Sequence, residues 1–220
     1  TVTVNQYAGN AATTGVDTTG GAISVTGNGS TTAVTVNQTK AGTGATATTT
    51  AAGVVGYAAG GVTITDANSG SNTLAGTIKS VTLNSFGDKA GPAVSTINSG
   101  ALETINLSGN AIGAGLTVTN GSLTTPTVTT QALNLNGFTT GAGAGVITLD
   151  TDITTLNITS SIAANTIKSL IAGGATTVNI AGDKDLTLTG QTIGAATAVN
   201  VTSTGKTTLG TALAVGVTFT

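Results

Sequence analysis

Short runs in which an aliphatic residue alternates with threonine or asparagine recur along the whole chain and constrain its fold more than any other feature. Examples are Val2-Thr3-Val4, Val81-Thr82-Leu83 and Leu186-Thr187-Leu188. A period of two residues places the aliphatic side chains on one face of a β-strand, and β-branched residues favour the pleated backbone. Asn-Gly pairs such as Asn120-Gly121 separate the runs and are strong turn signals. The sequence therefore predicts an all-β chain of short strands.

A second pattern, an asparagine between two aliphatic residues, repeats through the C-terminal two-thirds. The longest interval between copies contains Pro126 and a Thr-rich stretch, which we interpret as a loop insertion. A repeat of about 22 residues with two or three short strands is the size of one coil of a β-solenoid. We therefore predict a parallel β-solenoid over residues 76–220. Buried residues stacked in successive coils should be Leu135, Ile158, Ile180 and Val201. The central residues of the repeats are Asn106, Asn134, Asn157, Asn179 and Asn200, preceded by the related Thr82.

The first 75 residues repeat differently. The segment 2–6 recurs 32 positions later at 34–38, so we predict a separate Thr/Gly-rich β module over 1–75. The segment 41–53 is almost only Ala, Gly and Thr and is predicted to be a linker or surface loop. The chain begins inside a strand-like run, so we expect it to be part of a longer protein.

Two alternatives remain open at this point. Strands with turn signals every 8–12 residues are also typical of β-sandwich modules, which are the rival fold class. The segment 162–171 is a helix candidate, and its Asn, Ser and Thr content suits a strand and a corner equally well.

Composition argues against an enzyme. The chain has no His, Cys, Arg, Met or Trp, and 6% of its residues are charged. Nucleophilic triads need a base such as His, and zinc sites need Cys or His. Glu103 is the only glutamate. A net charge of −2 gives no basic surface for nucleic acid, and no apolar run approaches the roughly 18 residues of a transmembrane helix.

Calcium is the one ligand that the residues suggest. Asp150 and Asp152 form one Asp-x-Asp pair, and Asp183 and Asp185 form another. In an extended chain the two carboxylates of a pair project to one face and can share a hard cation; the alternative is that these residues cap turns. The pairs are 33 positions apart, about one and a half coils, so we expect them on different faces. Two carboxylates are few for Ca²⁺, so we predict an affinity no better than about millimolar.

The segments 61–68, 75–83 and 102–109 resemble the Thr/Ala/Gly-rich β-strand repeats of Gram-negative surface-layer and RTX-class secreted proteins. The resemblance implies type I secretion, assembly on the outer cell surface and, often, a need for calcium. The Gly-rich RTX nonapeptide is absent, and 141–145 has the glycines without the required aspartate.

We therefore expect a secreted, extracellular protein of the bacterial cell surface. Its expected role is structural, as a building block of a surface layer or extracellular array that associates with copies of itself. Cell-surface polysaccharide would be contacted through other parts of a full-length protein. The alternative is a repeat segment of a large adhesin or biofilm protein.

Overall fold

A computed structural model describes residues 1–8, 18–40, 57–86, 94–111, 115–140, 145–194, 198–213 and 218–219. The described residues form strands, turns and bends, without a helix, which confirms the all-β prediction. Accordingly, no described helix has the length and apolarity that would allow it to cross a membrane. The predicted linker at 41–53 and most of the Gly-rich segment 141–145 lie outside the described residues.

Twenty-one strands are described, and most of them belong to two sheets. In chain order they are β1 Val2–Ala8, β2 Thr18–Thr19, β3 Ile23–Thr26, β4 Ala33–Lys40, β5 Tyr57–Ala58, β6 Val62–Thr65, β7 Ser80–Asn84, β8 Ser95–Asn98, β9 Thr104–Ala111, β10 Leu116–Thr119 and β11 Thr130–Thr140. The remainder are β12 Val146–Thr148, β13 Thr155–Ser161, β14 Asn165–Ile167, β15 Ser169–Ile171, β16 Thr177–Gly182, β17 Leu186–Leu188, β18 Gln191–Thr192, β19 Ala198–Val201, β20 Thr207–Leu209 and β21 Thr218–Phe219.

The large sheet has the strand order β1-β4-β7-β9-β11-β13-β16-β19-β21, with β14, β17 and β20 continuing it at one side. The small sheet has the order β18-β15-β12-β10-β8-β6-β3, and β2 pairs with β5 alone. From β6 to β19 the chain visits the two sheets in turn and advances by one strand at each return, with β14 and β17 as second strands of the large sheet in their coils.

Every ladder between described strands is parallel. Parallel strands in two sheets, joined by connections that always advance in one direction, form a solenoid-like arrangement. The antiparallel pairing that a β-sandwich requires is not found among the described strands.

The core lies between the two sheets and consists of stacked aliphatic side chains. In β13 the inward residues Leu156 and Ile158 are buried, while Asn157 between them is half exposed. This alternation follows the period of two and recurs in both sheets. Phe86 and Phe138 add one stacked aromatic pair, with ring centroids 5.9 Å apart. The scarcity of large side chains is therefore compatible with a continuous core, which aliphatic residues of both sheets form.

The predicted coil length is observed in the C-terminal part. Ile158 pairs with Ile180, 22 positions later, and Ile180 pairs with Val201 after a further 21. Nearer the N-terminus the interval is longer, since Val34 pairs with Val81 after 47 positions. The strands pair in the same parallel way in both parts of the chain. The different intervals between paired residues come from connections of different length.

The predicted four-residue stack is right for three residues and wrong for Leu135. Ile158, Ile180 and Val201 lie opposite one another, with Val201 only partly buried. Leu135 instead lies opposite Ser160, because Leu133 takes the place opposite Ile158. The ladder between β11 and β13 is thus shifted by two residues from the alignment of the asparagine repeats. A shift of two leaves every side chain on its own face, so alternation alone does not reveal it.

Strands from the two predicted modules pair with each other. β4 pairs with β7 and β6 pairs with β8, across the expected boundary between 75 and 76. The predicted repeat of 2–6 at 34–38 is seen as an in-register ladder, with Asn5 opposite Asn37. The division into modules 1–75 and 76–220 stays a prediction.

The helix interpretation of 162–171 is wrong. The segment contains β14 and β15, separated by a corner at Lys168. It follows a sharp turn at Ile162, which is 74% exposed and has a φ of 68°. The buried side chain of Asn165 holds this turn, because its Nδ2 donates to Ala163 O over 2.8 Å and its Oδ1 accepts from Phe138 N over 2.6 Å. These contacts stabilise a corner, which is the alternative that the composition also allowed.

Candidate functional site

The connections that lead from the small sheet to the large sheet place several polar side chains at one end of the core, among them the buried Asp66 and Ser99. We call this region, residues 66–79, 98–103, 120–131 and 150–153, the polar corner. Successive strands of the small sheet end here in Asp66, Ser99 and Asn120, which are stacked because Asp66 N donates to Asn98 O and Ser99 N donates to Thr119 O. In the next coil Asn120 N donates to the Asp150 carboxylate, over 2.7 Å. The Asp150 side chain thus takes the place that the backbone carbonyls of Asn98 and Thr119 have in the two preceding steps of the stack.

Asp66 is the most enclosed charged residue of the corner, with 1% of its surface exposed. Its Oδ2 accepts hydrogen bonds from Thr77 N over 2.8 Å, Ile78 N over 2.6 Å and Ser99 Oγ over 2.8 Å. Gly76 is required here, since a Cβ at that position would lie 2.3 Å from Oδ2. One carboxylate therefore fixes the end of the 66–79 connection against the core.

Two long connections pack on each other above this carboxylate. Thr124 donates from both N and Oγ1 to Asn72 O, over 3.2 and 3.0 Å. Gly121, with a φ of 80°, comes so close to Ser69 O that a Cβ would lie 2.7 Å from it. The segment 120–129, which contains Pro126, has no strand, so the predicted loop insertion is confirmed.

Asp150 and Asp152 lie in the polar corner on a turn and not in the extended chain that was predicted. Asp150 Oδ1 accepts from Asp152 N over 2.9 Å, and Asp152 Oδ2 accepts from Asn120 Nδ2. Burial and the neighbouring charge of Asp150 raise the pKa of the Asp152 carboxyl above its usual range. The pair thus closes a turn, and its two negative charges lie close together.

Asp183 and Asp185 lie on a bend after β16, at a different corner. Asp183 Oδ2 is 2.8 Å from Lys184 Nζ, and this hydrogen bond lowers the pKa of the exposed Asp183 carboxyl. Asp185 Oδ1 accepts from Lys206 N in the next coil, over 2.9 Å. As the spacing of the two pairs predicted, they do not converge on one site. Among the described residues no group of three or more His, Cys, Asp or Glu side chains is arranged to hold a metal.

A small recess opens beside Asp150. It leaves about 10 Å³ for the centre of a water-sized molecule, which is room for one such molecule and not for an organic substrate. Its lining includes Ser99, Asn120, Gln131, Asp150, Val118 and Ile153. Gln131 is 1% exposed and donates through Nε2 to Leu102 O over 3.3 Å, while its Oε1 is buried without a partner.

Three polar residues of the site were not predicted from the sequence: Asp66, Ser99 and Gln131. The available signal was their phase, because Asp66 continues the inward alternation of Val62 and Ile64, and Gln131 precedes Leu133 in the same way. A polar residue in an inward position of an alternating run indicates a buried polar group that needs partners.

The outer face of the large sheet carries the predicted asparagine repeats as hydrogen-bonded ladders. Asn179 Nδ2 donates to Asn157 Oδ1 over 2.7 Å, and Asn200 Nδ2 donates to Asn179 Oδ1 over 2.8 Å. A second ladder runs from Asn134 through Asn106 to Thr82, over 2.9 and 3.2 Å. The two ladders are separate because β11 and β13 pair with the shift of two residues.

Comparison of the chain with protein-family models and with curated proteins finds no match.

Proposed function

We propose that the chain forms a closed parallel β-solenoid and serves as a structural building block of a bacterial surface layer or comparable extracellular array. In this proposal it is secreted, lies at the cell surface and acts by association with copies of itself, without catalysis.

The uncharged faces of the two sheets carry this proposal. Among the described strands, Lys40 at the end of β4 is the only charged residue. The outward side chains are mainly Thr, Asn and Ser, stacked in rows by the parallel register. Burying such a surface against another molecule requires no desolvation of ionised groups, which is the costly part of forming a contact.

The sheet edges also favour association. The outer edge of β1 pairs with no described strand, and an unpaired edge is a template for another strand. Either a second copy or a flanking segment would satisfy these backbone groups.

Self-association can be tested by adding one lysine either to the outer face of the small sheet or to the 66–79 connection. Thr63 is exposed on the outer face of β6, and Thr73 is exposed in the 66–79 connection. We expect the wild-type chain to form larger species with rising concentration, seen by sedimentation velocity and negative-stain electron microscopy. Thr63→Lys should weaken this assembly, because it adds an ionised group to the contact face, and Thr73→Lys should not. A wild-type chain that remains monomeric at all concentrations would refute the proposal, and equal assembly of both variants would exclude the small-sheet face.

One observation favours the adhesin alternative. The connections 66–79 and 120–129 support each other at one corner, and ligand-binding residues are concentrated in loops held on rigid scaffolds. The full-length gene distinguishes the two roles. An adhesin should carry many near-identical tandem units and a terminal ligand-binding domain.

A further inference from the structure

The polar corner contains an excess of buried hydrogen-bond acceptors. Four buried side-chain atoms of the described residues lack a hydrogen-bond partner, and three of them are Asp66 Oδ1, Asn98 Oδ1 and Gln131 Oε1. All three belong to this corner, and as carboxylate or amide oxygens they only accept. Buried polar groups are normally paired, so unpaired acceptors indicate a missing donor or cation.

The uncompensated negative charges of the polar corner also indicate a missing cation. Asp66, Asp150 and Asp152 carry three carboxylates, and the ion pairs of the described residues, Lys79 with Glu103 and Lys184 with Asp183, include none of them. Asp150 and Asp152 are in direct contact, since Asp150 Oδ1 accepts a hydrogen bond from Asp152 N over 2.9 Å.

Gln131 brings an unpaired acceptor to the lining of the recess. Its Nε2 is directed to the carbonyl oxygen of Leu102, so the opposite end of the amide, Oε1, is the end left unpaired. Reversing the amide would bring Oε1 against that carbonyl, which is unfavourable. Gln131 and Asp150 line the same recess, whose space suits one water-sized species.

We propose that this recess binds one divalent, oxygen-coordinated cation of the calcium class, with Gln131 Oε1 and the Asp150 carboxylate as side-chain ligands. Asp152 adds negative charge beside them, and backbone carbonyl oxygens of the lining complete the shell. Ca²⁺ accepts irregular sets of oxygen ligands, whereas Mg²⁺ demands near-octahedral geometry and retains several waters that this recess does not accommodate. With so few carboxylates the affinity belongs to the weak extracellular range, about 0.1–1 mM.

Thermal unfolding of the full chain with CaCl2, MgCl2 or NaCl at matched ionic strength tests the site. The experiment uses a protein concentration at which sedimentation shows monomer, so its outcome does not depend on assembly. About 10 mM CaCl2 should raise the Tm by about 3 °C, because the cation binds only the folded state, and MgCl2 should raise it less. No calcium-specific rise would mean that the recess holds water only, and the proposal would be wrong.

Two pairs of matched variants locate the site. Asp150→Asn should weaken calcium binding at least about tenfold in calorimetry, while Asp183→Asn at the other aspartate pair should leave it unchanged. Gln131→Met should weaken binding because it removes the Oε1 ligand while keeping the approximate size of the side chain. Its control is Gln191→Met, which should leave the affinity unchanged, since Gln191 is a buried glutamine whose amide already bonds to Thr211 at both ends. Loss of binding in Asp183→Asn or Gln191→Met, or unchanged affinity in either Asp150→Asn or Gln131→Met, would overturn the assignment.

Discussion

The C-terminal coils, residues 155–209, and the coils of the polar corner, residues 62–153, are built from the same strand pattern and differ in how they turn. In the C-terminal coils the interval between paired residues is 21 or 22, as from Leu170 to Gln191 and from Ile158 to Ile180. In the small sheet of the polar corner the interval is not constant: it is 33 from Thr63 to Thr96, 21 from Thr96 to Thr117 and 31 from Thr117 to Thr148. The additional residues form the connections that cover Asp66.

This difference separates two sources of stability. A regular coil repeats the contacts of its neighbour, so aliphatic stacking and one asparagine per coil are sufficient. A coil with a long connection has extra backbone donors, and each needs a particular acceptor, because an unsatisfied buried group costs about 1–3 kcal/mol. Asp66 supplies that acceptor for Thr77 and Ile78.

The largest effect is expected from a charge in the regular coils. Ile180→Asp should lower the free energy of unfolding by about 4 kcal/mol or more, because it places an unpaired charge between the buried Ile158 and the strand of the next coil. Urea unfolding measures the change. The control is Ile162→Asp, the same substitution at an exposed corner, which should leave stability nearly unchanged. Comparable losses in both variants would contradict the stacked core.

A smaller but more local effect is expected at the polar corner. Asp66→Ala removes the acceptor of three donors and should cost about 3 kcal/mol. Hydrogen exchange should show loss of protection at the amides of Thr77 and Ile78 before any loss in residues 155–209. Asp183→Ala, at an exposed aspartate, serves as the control and should have little effect. If Asp66→Ala leaves both amides protected, the carboxylate does not hold the connection.

The smallest effect is expected in the asparagine ladder. Asn179→Ala removes one donated and one accepted hydrogen bond on a half-exposed face and should cost about 1–2 kcal/mol, measured by urea unfolding. Thr187→Ala changes an outward side chain of the adjoining β17 and should cost less. Equal costs would show that the ladder adds nothing beyond side-chain packing.

Alternation allowed the sequence to predict which residues face the core but not which residues lie opposite each other. Ile158, Ile180 and Val201 were placed correctly because their coils have nearly equal lengths. Leu135 was misplaced because an even shift preserves both faces, and the choice between registers depends on the corners. One such corner is the turn at Ile162, whose left-handed backbone is unusual for a β-branched residue and is not foreseeable from the chain.

The candidate site was predicted only in part. Asp150 and Asp152 were identified as a pair, yet their partner Asn120 lies 30 positions or more away in the chain. Gln131 and Asp66 belong to no sequence motif, and only their inward phase in an alternating run indicates burial. Their hydrogen-bond partners depend on how the connections pack, and therefore on the lengths of the connections.

The direction of the asparagine hydrogen bonds has a consequence for how such a protein can lengthen during evolution. In each bond between ladder asparagines the later coil donates and the earlier coil accepts, as from Asn37 to Asn5, Asn134 to Asn106 and Asn200 to Asn179. A duplicated coil with one asparagine therefore brings a donor for the coil before it and an acceptor for the coil after it. Tandem duplication of one regular coil can extend the ladder in a single genetic event, without leaving an amide group at the junction unmatched.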